Sequence, residues 1–109
     1  MADRIERDSL GEWAVPEDAD YAVHTARAAA NFPITGTLLR HYPELIVAMA
    51  MTKKAAAEAN AALGVLDPRV AKAISAACDR LMAGENHQHF IVDMVQGGAG
   101  TSTNMNANE

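Results

Sequence analysis

A glycine-rich turn, GGAGTS, contains the residues whose types and spacing best suit chemistry. Gly97, Gly98 and Gly100 can adopt positive φ angles and let the backbone approach a ligand closely. Thr101 and Ser102 follow them and bring hydroxyl groups beside backbone N–H groups, where the sequence predicts the N-terminus of a helix. Converging N–H and O–H donors suit a carboxylate, a phosphate or a developing oxyanion. The turn is therefore the leading candidate for an anion-binding site.

The common nucleotide-binding fingerprints do not explain this turn. It lacks the glycine spacing of a dinucleotide-binding motif and the Gly-Lys-Ser/Thr ending of a P-loop. As a string alone, a glycine-rich loop before a helix also fits a plain connector. Both interpretations stay open at this level.

The other reactive side chains predict no second site. His87 and His89 could share one face of an extended stretch, but a metal site needs three or four ligands, and none follows at a recognisable spacing. We predict no metal site and interpret both, like His24 and His41, as surface or hydrogen-bonded histidines. Cys78 lies among apolar residues at helical spacing, which favours a core residue over a nucleophile. No nucleophile-elbow sequence is present.

Length and charge narrow the class of protein. A chain of 109 residues suffices for one domain, and a formal net charge of −5 argues against binding to a nucleic-acid backbone. No apolar run approaches the ~18 residues of a membrane span, and the N-terminal MADRIERDSL has no apolar signal core. These features predict a cytoplasmic protein with no nucleic-acid or membrane partner.

The elements that must position the turn are predicted to be mainly helical. Residues 1–20 predict a short extended piece or small hairpin, residues 21–96 a helical region, and residues 97–109 the glycine turn with the start of another helix. Within the helical region the predicted elements are helices from about Tyr21 to Asn31, from Pro43 to Leu63 and over 67–83, and then a short buried extended segment over 91–95.

Residues that favour helix ends support the prediction of the two longest helices. Pro43 and Pro68 suit the first helical position, Asp67 is a good N-cap, and Gly64 and Gly84 suit C-terminal stops. One face of the first of these helices is predicted to carry Leu45, Ile46, Met49, Ala56 and Leu63, and the predicted buried stripe of the second is Val70, Ile74, Ala77, Cys78 and Leu81.

Several stretches of the chain resemble a known family. QGGAGTSTNMNANE closely resembles a signature of the aspartase/fumarase superfamily, and in particular of aspartate ammonia-lyases. ERDSLGEWAVPEDADYAVHTARAAANFPITG resembles the N-terminal stretch of that family, and MTKKAAAEAN and AISAACDRLMAG resemble its next two helices. HFIVDMVQGGAGTS resembles the approach to its first active-site loop. The resemblance covers essentially the whole chain, in order.

Particular positions resemble the ammonia-lyases more than the fumarate hydratases. His24-Thr25 stands where fumarate hydratases typically have Gln-Thr, and Gly97–Ser102 stands where they have Thr-Gly-Ser-Gly-Thr-Gln. Asp93 is also typical of aspartases, whereas Ile91 and Ala22 depart from the family's usual proline and glycine outside the signature. The open alternatives are a fumarate hydratase or another fumarate-producing lyase and, from a different class, a non-catalytic helical binding module.

The resemblance implies the N-terminal helical domain of a longer enzyme, whose central helical bundle is absent from these 109 residues. Such an enzyme reversibly eliminates ammonia from L-aspartate to give fumarate, through an aci-carboxylate intermediate and without an organic cofactor. It assembles as a homotetramer with active sites built from three subunits. Its serine base lies downstream, so the resemblance implies that this chain has no catalytic residue and is inactive alone.

The resemblance also implies roles for the residues of the turn. Thr101 matches a hydroxyl position that contacts the substrate, L-aspartate or fumarate. The other residues implied in the same loop are Gly100 and Ser102, which shape the part that binds substrate, and Gly97, Gly98, Asn104 and Asn106, which support it.

Overall fold

The chain begins with a β-hairpin. The computed structural model describes residues 2–109, in which strands β1 (Asp3–Asp8) and β2 (Gly11–Pro16) pair antiparallel, with Asp8 opposite Gly11 across a two-residue loop. The Leu10 N–H donates to Asp8 Oδ1 at 2.9 Å, and Gly11 has a φ of 120° that other residues rarely adopt. The hairpin predicted within residues 1–20 is confirmed.

Helices make up most of the remaining regular structure. They are α1 (Val23–Asn31), α2 (Pro43–Ala62), α3 (Pro68–Met82) and α4 (Thr101–Asn108), with short 3-10 helices at Leu39–His41, His87–His89 and Gly98–Gly100. The predicted mainly helical class is confirmed. None of the helices in residues 2–109 combines the length and the apolar character that crossing a bilayer requires.

The described chain forms two compact units. The first comprises the residues up to His41 together with Gln88–Glu109, and it contains the hairpin, α1 and α4. The second, Tyr42–His87, contains α2 and α3. The glycine turn belongs to the first unit.

The second unit is a helical hairpin, and its two helices begin and end at the residues predicted from capping preferences. Pro43 and Pro68 occupy the first helical positions, and the Asp67 carboxylate accepts the Arg69 N–H at 2.8 Å. Gly64 and Gly84 take φ angles of 77° and 93°, which turn the chain out of α2 and α3. The helices predicted over 43–63 and 67–83 are confirmed to within one residue at each end.

The buried seam between α2 and α3 differs from the predicted stripes. The buried residues are Ile46, Ala50 and Ala57 in α2 and Ala71 and Cys78 in α3. The predicted buried stripe of α3 was wrong for Val70 and Ala77, which are exposed, and the face predicted on α2 includes Leu45 and Ala56, which are exposed as well. Small alanines in the seam let two helices approach closely.

Cys78 is confirmed as a core residue of the second unit. It is buried on α3, and burial raises the pKa of its thiol. A raised pKa lowers the thiolate fraction that a nucleophile needs. Across the seam, Lys54 Nζ lies 2.6 Å from Asp79 Oδ1.

The core of the first unit joins segments that are far apart in sequence. Val15 of β2, Val23 of α1, Leu39, Phe90 and Val92 are all buried. The Leu39 N–H donates to the Val92 carbonyl at 2.9 Å, and Leu38 forms an isolated antiparallel bridge with Asp93. The buried extended segment predicted over 91–95 is therefore only partly present, since Val92 is buried and the last two residues are not. Met94 and Val95 are exposed, because the chain turns toward solvent at the approach to the glycine turn.

Arg27 ties α1 to the tip of the hairpin. Its guanidinium forms two hydrogen bonds to the Asp8 carboxylate, at 2.9 and 3.0 Å, and a third to the Gly11 carbonyl at 3.1 Å. The same guanidinium lies 5.0 Å from the centre of the Trp13 ring, within cation–π range. These contacts fix the orientation of α1, on which α4 packs.

Candidate functional site

The glycine turn contains three consecutive residues in the left-handed region. Gly98, Ala99 and Gly100 have φ angles of 63°, 57° and 80°, whereas Gly97 has an ordinary φ of −82°. A side chain in this region costs roughly 1–2 kcal/mol, so glycine is required at two positions and Ala99 bears a strain. Strained backbone of this kind concentrates at functional sites.

The hydroxyl residues lie where the turn becomes α4. Thr101 is exposed, and its Oγ1 donates to the Gly98 carbonyl at 2.7 Å, which closes the turn. Ser102 is half-buried. Gly100 is the N-cap of α4 and provides no side-chain cap, so the first N–H groups of the helix point toward the turn. The arrangement offers N–H and O–H donors together at a helix N-terminus, which suits a carboxylate.

The predicted supporting residues divide into two groups. Asn106 is buried on α4, where its Nδ2 donates to the His89 carbonyl at 3.0 Å and its Oδ1 accepts the Val92 N–H at 3.4 Å. Asn104 lies on the exposed side of α4. A Cβ built at Gly97 would lie 3.5 Å from the Phe32 ring, an ordinary contact, so Gly97 is not required by space.

Asp93 holds the approach to the turn. It is buried, and its carboxylate accepts the Val95 N–H, the Thr35 N–H and hydroxyl, and the Gly36 N–H, all at 2.9 Å. The Val95 N–H and the Thr35 and Gly36 donors lower the pKa of Asp93 from an ordinary 3.8 to about 2, against the opposing effect of burial. The carboxylate therefore pins the 35–36 loop to the segment that leads into the glycine turn.

Asp93 should make the free energy of unfolding of the chain depend on pH in the acidic range. Because its pKa is lower in the folded state, its stabilising contribution is present above pH ~4 and is lost as the pH falls toward ~2. We expect the difference in melting temperature between the wild type and Asp93→Asn to shrink over that interval. Thr35→Val removes one donor and should reduce the pH-dependent part without abolishing it. A difference that stays constant from pH 4 to pH 2 would contradict this role.

Gln96 connects this anchor to the turn. Its Nε2 donates to the Asp93 carbonyl at 2.7 Å, whereas its Oε1 is buried and has no hydrogen-bond partner in residues 2–109. The residue directly precedes Gly97, so the backbone of the turn is held on its N-terminal side as well.

The histidines His41, His87 and His89 each contact different residues and do not form a common site. His87 Nε2 lies 2.8 Å from the Leu81 carbonyl, and His41 Nδ1 lies 3.2 Å from the Leu38 N–H. His89 accepts the Asp20 N–H at Nδ1, and its Nε2 lies 3.3 Å from the Asp20 carboxylate. In residues 2–109 no group of three or more His, Cys, Asp or Glu side chains could hold a metal ion.

Sequence reasoning missed the anchoring contacts of Asp93 and Glu109. Asp93 was recognised only as typical of aspartases, and its partners in the 35–36 loop lie 57 and 58 positions away. Glu109 reaches α1 over 85 positions. The one local signal for the contact between Glu109 and α1 is Ala22, which precedes α1 and cannot cap it with its side chain.

A family model described as lyase matches residues 11–109, which include the hairpin's second strand, all four helices and the glycine turn. The chain belongs to the lyase family. This lyase-family chain is 58% identical over 106 residues to the aspartate ammonia-lyase of Pseudomonas aeruginosa, an alignment that covers 97% of this chain and 22% of the relative. The fumarate hydratase class II of Halobacterium salinarum is 50% identical over 106 residues, with the same two shares, 97% and 22%.

Solved structures of the lyase family have the same fold. The fumarate lyase:delta crystallin of Brucella melitensis matches with a TM-score of 0.92 and 50% identity, over 97% of this chain and 25% of that one. The class II fumarase of Schistosoma mansoni matches with a TM-score of 0.90 and 34% identity, over 98% of this chain and 22% of that one. The chain thus spans about a fifth to a quarter of the length of these relatives.

Proposed function

We propose that this chain is the N-terminal part of an enzyme that reversibly eliminates ammonia from L-aspartate to give fumarate. The observation that carries the proposal is the exposed Thr101 hydroxyl, held by a left-handed turn at the N-terminus of α4. The 58% identity to an aspartate ammonia-lyase supports the choice of substrate. In this proposal residues 97–109 form the first substrate loop, with Thr101, Ser102 and Gly100 at the substrate and Gly97, Gly98, Asn104 and Asn106 in support.

The proposed chemistry explains why a cluster of donors is needed. Removing a proton next to the β-carboxylate of aspartate produces an aci-carboxylate, in which two negative charges reside on the carboxylate oxygens. Donors aimed at the oxygens where charge develops stabilise that state more than the ground state, which lowers the barrier. A hydroxyl and the helix N-terminus beside it can meet this need for one carboxylate. The proton is taken by a base that lies outside these 109 residues.

Hydration of fumarate is the second candidate, because the Halobacterium salinarum fumarate hydratase class II is 50% identical over 106 residues. Both reactions involve a four-carbon dicarboxylate and give or consume fumarate. A turn that binds a carboxylate serves either reaction, so the leaving group is selected by other parts of the enzyme. The two candidates therefore differ in the second substrate, ammonia or water.

The complete enzyme is further proposed to be a cytoplasmic homotetramer that needs no organic cofactor. The support is the resemblance of the whole chain to aspartate ammonia-lyases. Light scattering coupled to size-exclusion chromatography measures the assembly directly. A monomeric complete enzyme with full activity would contradict sites shared among subunits.

Fumarate absorbance tests the proposed activity. The enzyme expressed from the full reading frame should release fumarate from L-aspartate far faster than from L-malate. The 109-residue chain should give only the buffer rate with either substrate, because the base and most substrate-binding groups lie elsewhere. Faster turnover of L-malate would favour the hydratase. A protein-dependent rate for the 109-residue chain that survives repurification would contradict its role as one part of the active site.

A further inference from the structure

Helix α1 begins without a cap of its own. Its N-cap is Ala22, which makes no side-chain hydrogen bond, and its first turn contains no acidic residue. The first N–H groups of a helix have no partner within the helix and carry partial positive charge. The position calls for an acceptor, preferably an anionic one.

Glu109 supplies that acceptor from the other end of the chain. Its Oε1 accepts the Thr25 N–H at 2.7 Å and the Thr25 hydroxyl at 2.5 Å, and its Oε2 accepts the His24 N–H at 3.1 Å. These are the second and third N–H groups of α1, the pair that an N-cap side chain normally satisfies. Thr25 is fully buried, so the contact lies within the core of the first unit.

Glu109 also continues the helical hydrogen bonds of α4, because its N–H donates to the Met105 carbonyl at 2.9 Å. It lies about 12 Å along the helix from Thr101. The hydroxyl groups of the turn therefore lie at the N-terminus of α4, and a contact about two turns further along fixes the same helix on α1. Asn106, one turn before Glu109, adds its two hydrogen bonds to the 89–92 segment.

We infer that Glu109 is a positioning residue: through the N-terminus of α1 it sets the axis of α4 and so the place of the Thr101 and Ser102 hydroxyls. The effect on turnover rests on the proposed function, whereas the contact with α1 does not. A small rotation of α4 about its contact with α1 would move both hydroxyls away from a substrate carboxylate. Misplacement by about 1 Å can cost about a hundredfold in rate.

The contact is tested first in the complete enzyme, by amide hydrogen exchange. Glu109→Gln keeps the size of the side chain but places an NH2 group against N–H donors. We expect the amides of α4 and the His24 and Thr25 amides to exchange roughly two- to thirtyfold faster, the range for loss of a capping group. Glu85→Gln, which alters an exposed carboxylate near Arg80 in the second unit, is the control and should leave these amides unchanged. Unchanged exchange in Glu109→Gln would overturn the contact.

The positioning role is tested in the complete enzyme, where a stabilising cap and a positioning contact have different effects. Glu109→Gln and Thr25→Val should lower kcat of the folded enzyme by about ten- to a hundredfold, and Thr25→Ser, which keeps the hydroxyl, should restore most of it. A cap that only stabilises would lower the melting temperature and leave kcat unchanged, which overturns the inference. If the enzyme turns over neither L-aspartate nor L-malate, the proposed function fails and the exchange experiment still decides the contact.

Discussion

Replacing Thr101 by valine in the complete enzyme is expected to lower kcat/KM by about a hundred- to a thousandfold, or about 3–4 kcal/mol. Valine keeps the volume of threonine but deletes the hydroxyl donor. In the structure this hydroxyl donates to the Gly98 carbonyl at 2.7 Å and is exposed, so a substrate carboxylate can compete for the same proton. The loss should appear in kcat if the hydrogen bond strengthens as charge develops, and in KM if ground state and transition state are bound equally.

Two controls separate chemistry from folding in this experiment. Thr52→Val deletes a hydroxyl that donates to the Ala48 carbonyl at 2.9 Å on the exposed face of α2, the same kind of bond outside the turn, and should leave kcat unchanged. Ser102→Ala is the comparison at the site: if the neighbouring half-buried hydroxyl only caps the helix, its loss should lower the melting temperature more than turnover. Thermal melts of each variant establish that the protein is folded. A folded Thr101→Val enzyme with near-wild-type kcat/KM would mean that the turn is only a connector.

Replacing Leu39 by alanine is expected to destabilise the first unit by about 2–5 kcal/mol. Leu39 is 2% exposed and is the largest fully buried side chain in the described residues. Truncation removes apolar contacts and leaves a cavity beside Val92, whose carbonyl accepts the Leu39 N–H. The total stability of a domain is only about 5–15 kcal/mol, so this loss is a large fraction of it.

Leu10→Ala is the matched control for this substitution. Leu10 lies at the hairpin turn and is 77% exposed, so the same change of side chain should alter stability by at most about 0.5 kcal/mol. Chemical denaturation of the 109-residue chain measures both variants. Equal effects of the two substitutions would contradict the assignment of Leu39 to the core.

Three carboxylates of the first unit accept hydrogen bonds from distant segments. Asp93 accepts them from the 35–36 loop, Glu109 accepts them from α1, and Asp8 accepts two from Arg27. Each carboxylate joins segments that the chain separates by many residues. The glycine turn is thus held from both sides, by Asp93 before it and by Glu109, about two helical turns after it.

The sequence by itself determined where the long helices begin and end and where the candidate turn lies. Asp67, Pro68, Gly64 and Gly84 marked the ends of the long helices because capping and positive-φ preferences act within about one helical turn. The positive φ angles of Gly98 and Gly100 were predictable for the same reason. The resemblance to the aspartase/fumarase superfamily also came from residues read in order along the chain, and the family match agrees with it.

Only the tertiary structure decided which side of each element is buried and what each carboxylate contacts. Val70 and Ala77 were predicted in the buried stripe of α3, but Ala71 and Cys78 are its buried residues. Apolar character alone does not say where the partner helix lies, and close approach favours small side chains. The cap of α1 by Glu109 joins residues 85 positions apart, far beyond the reach of any local preference. Such contacts exist only after folding has brought the segments together.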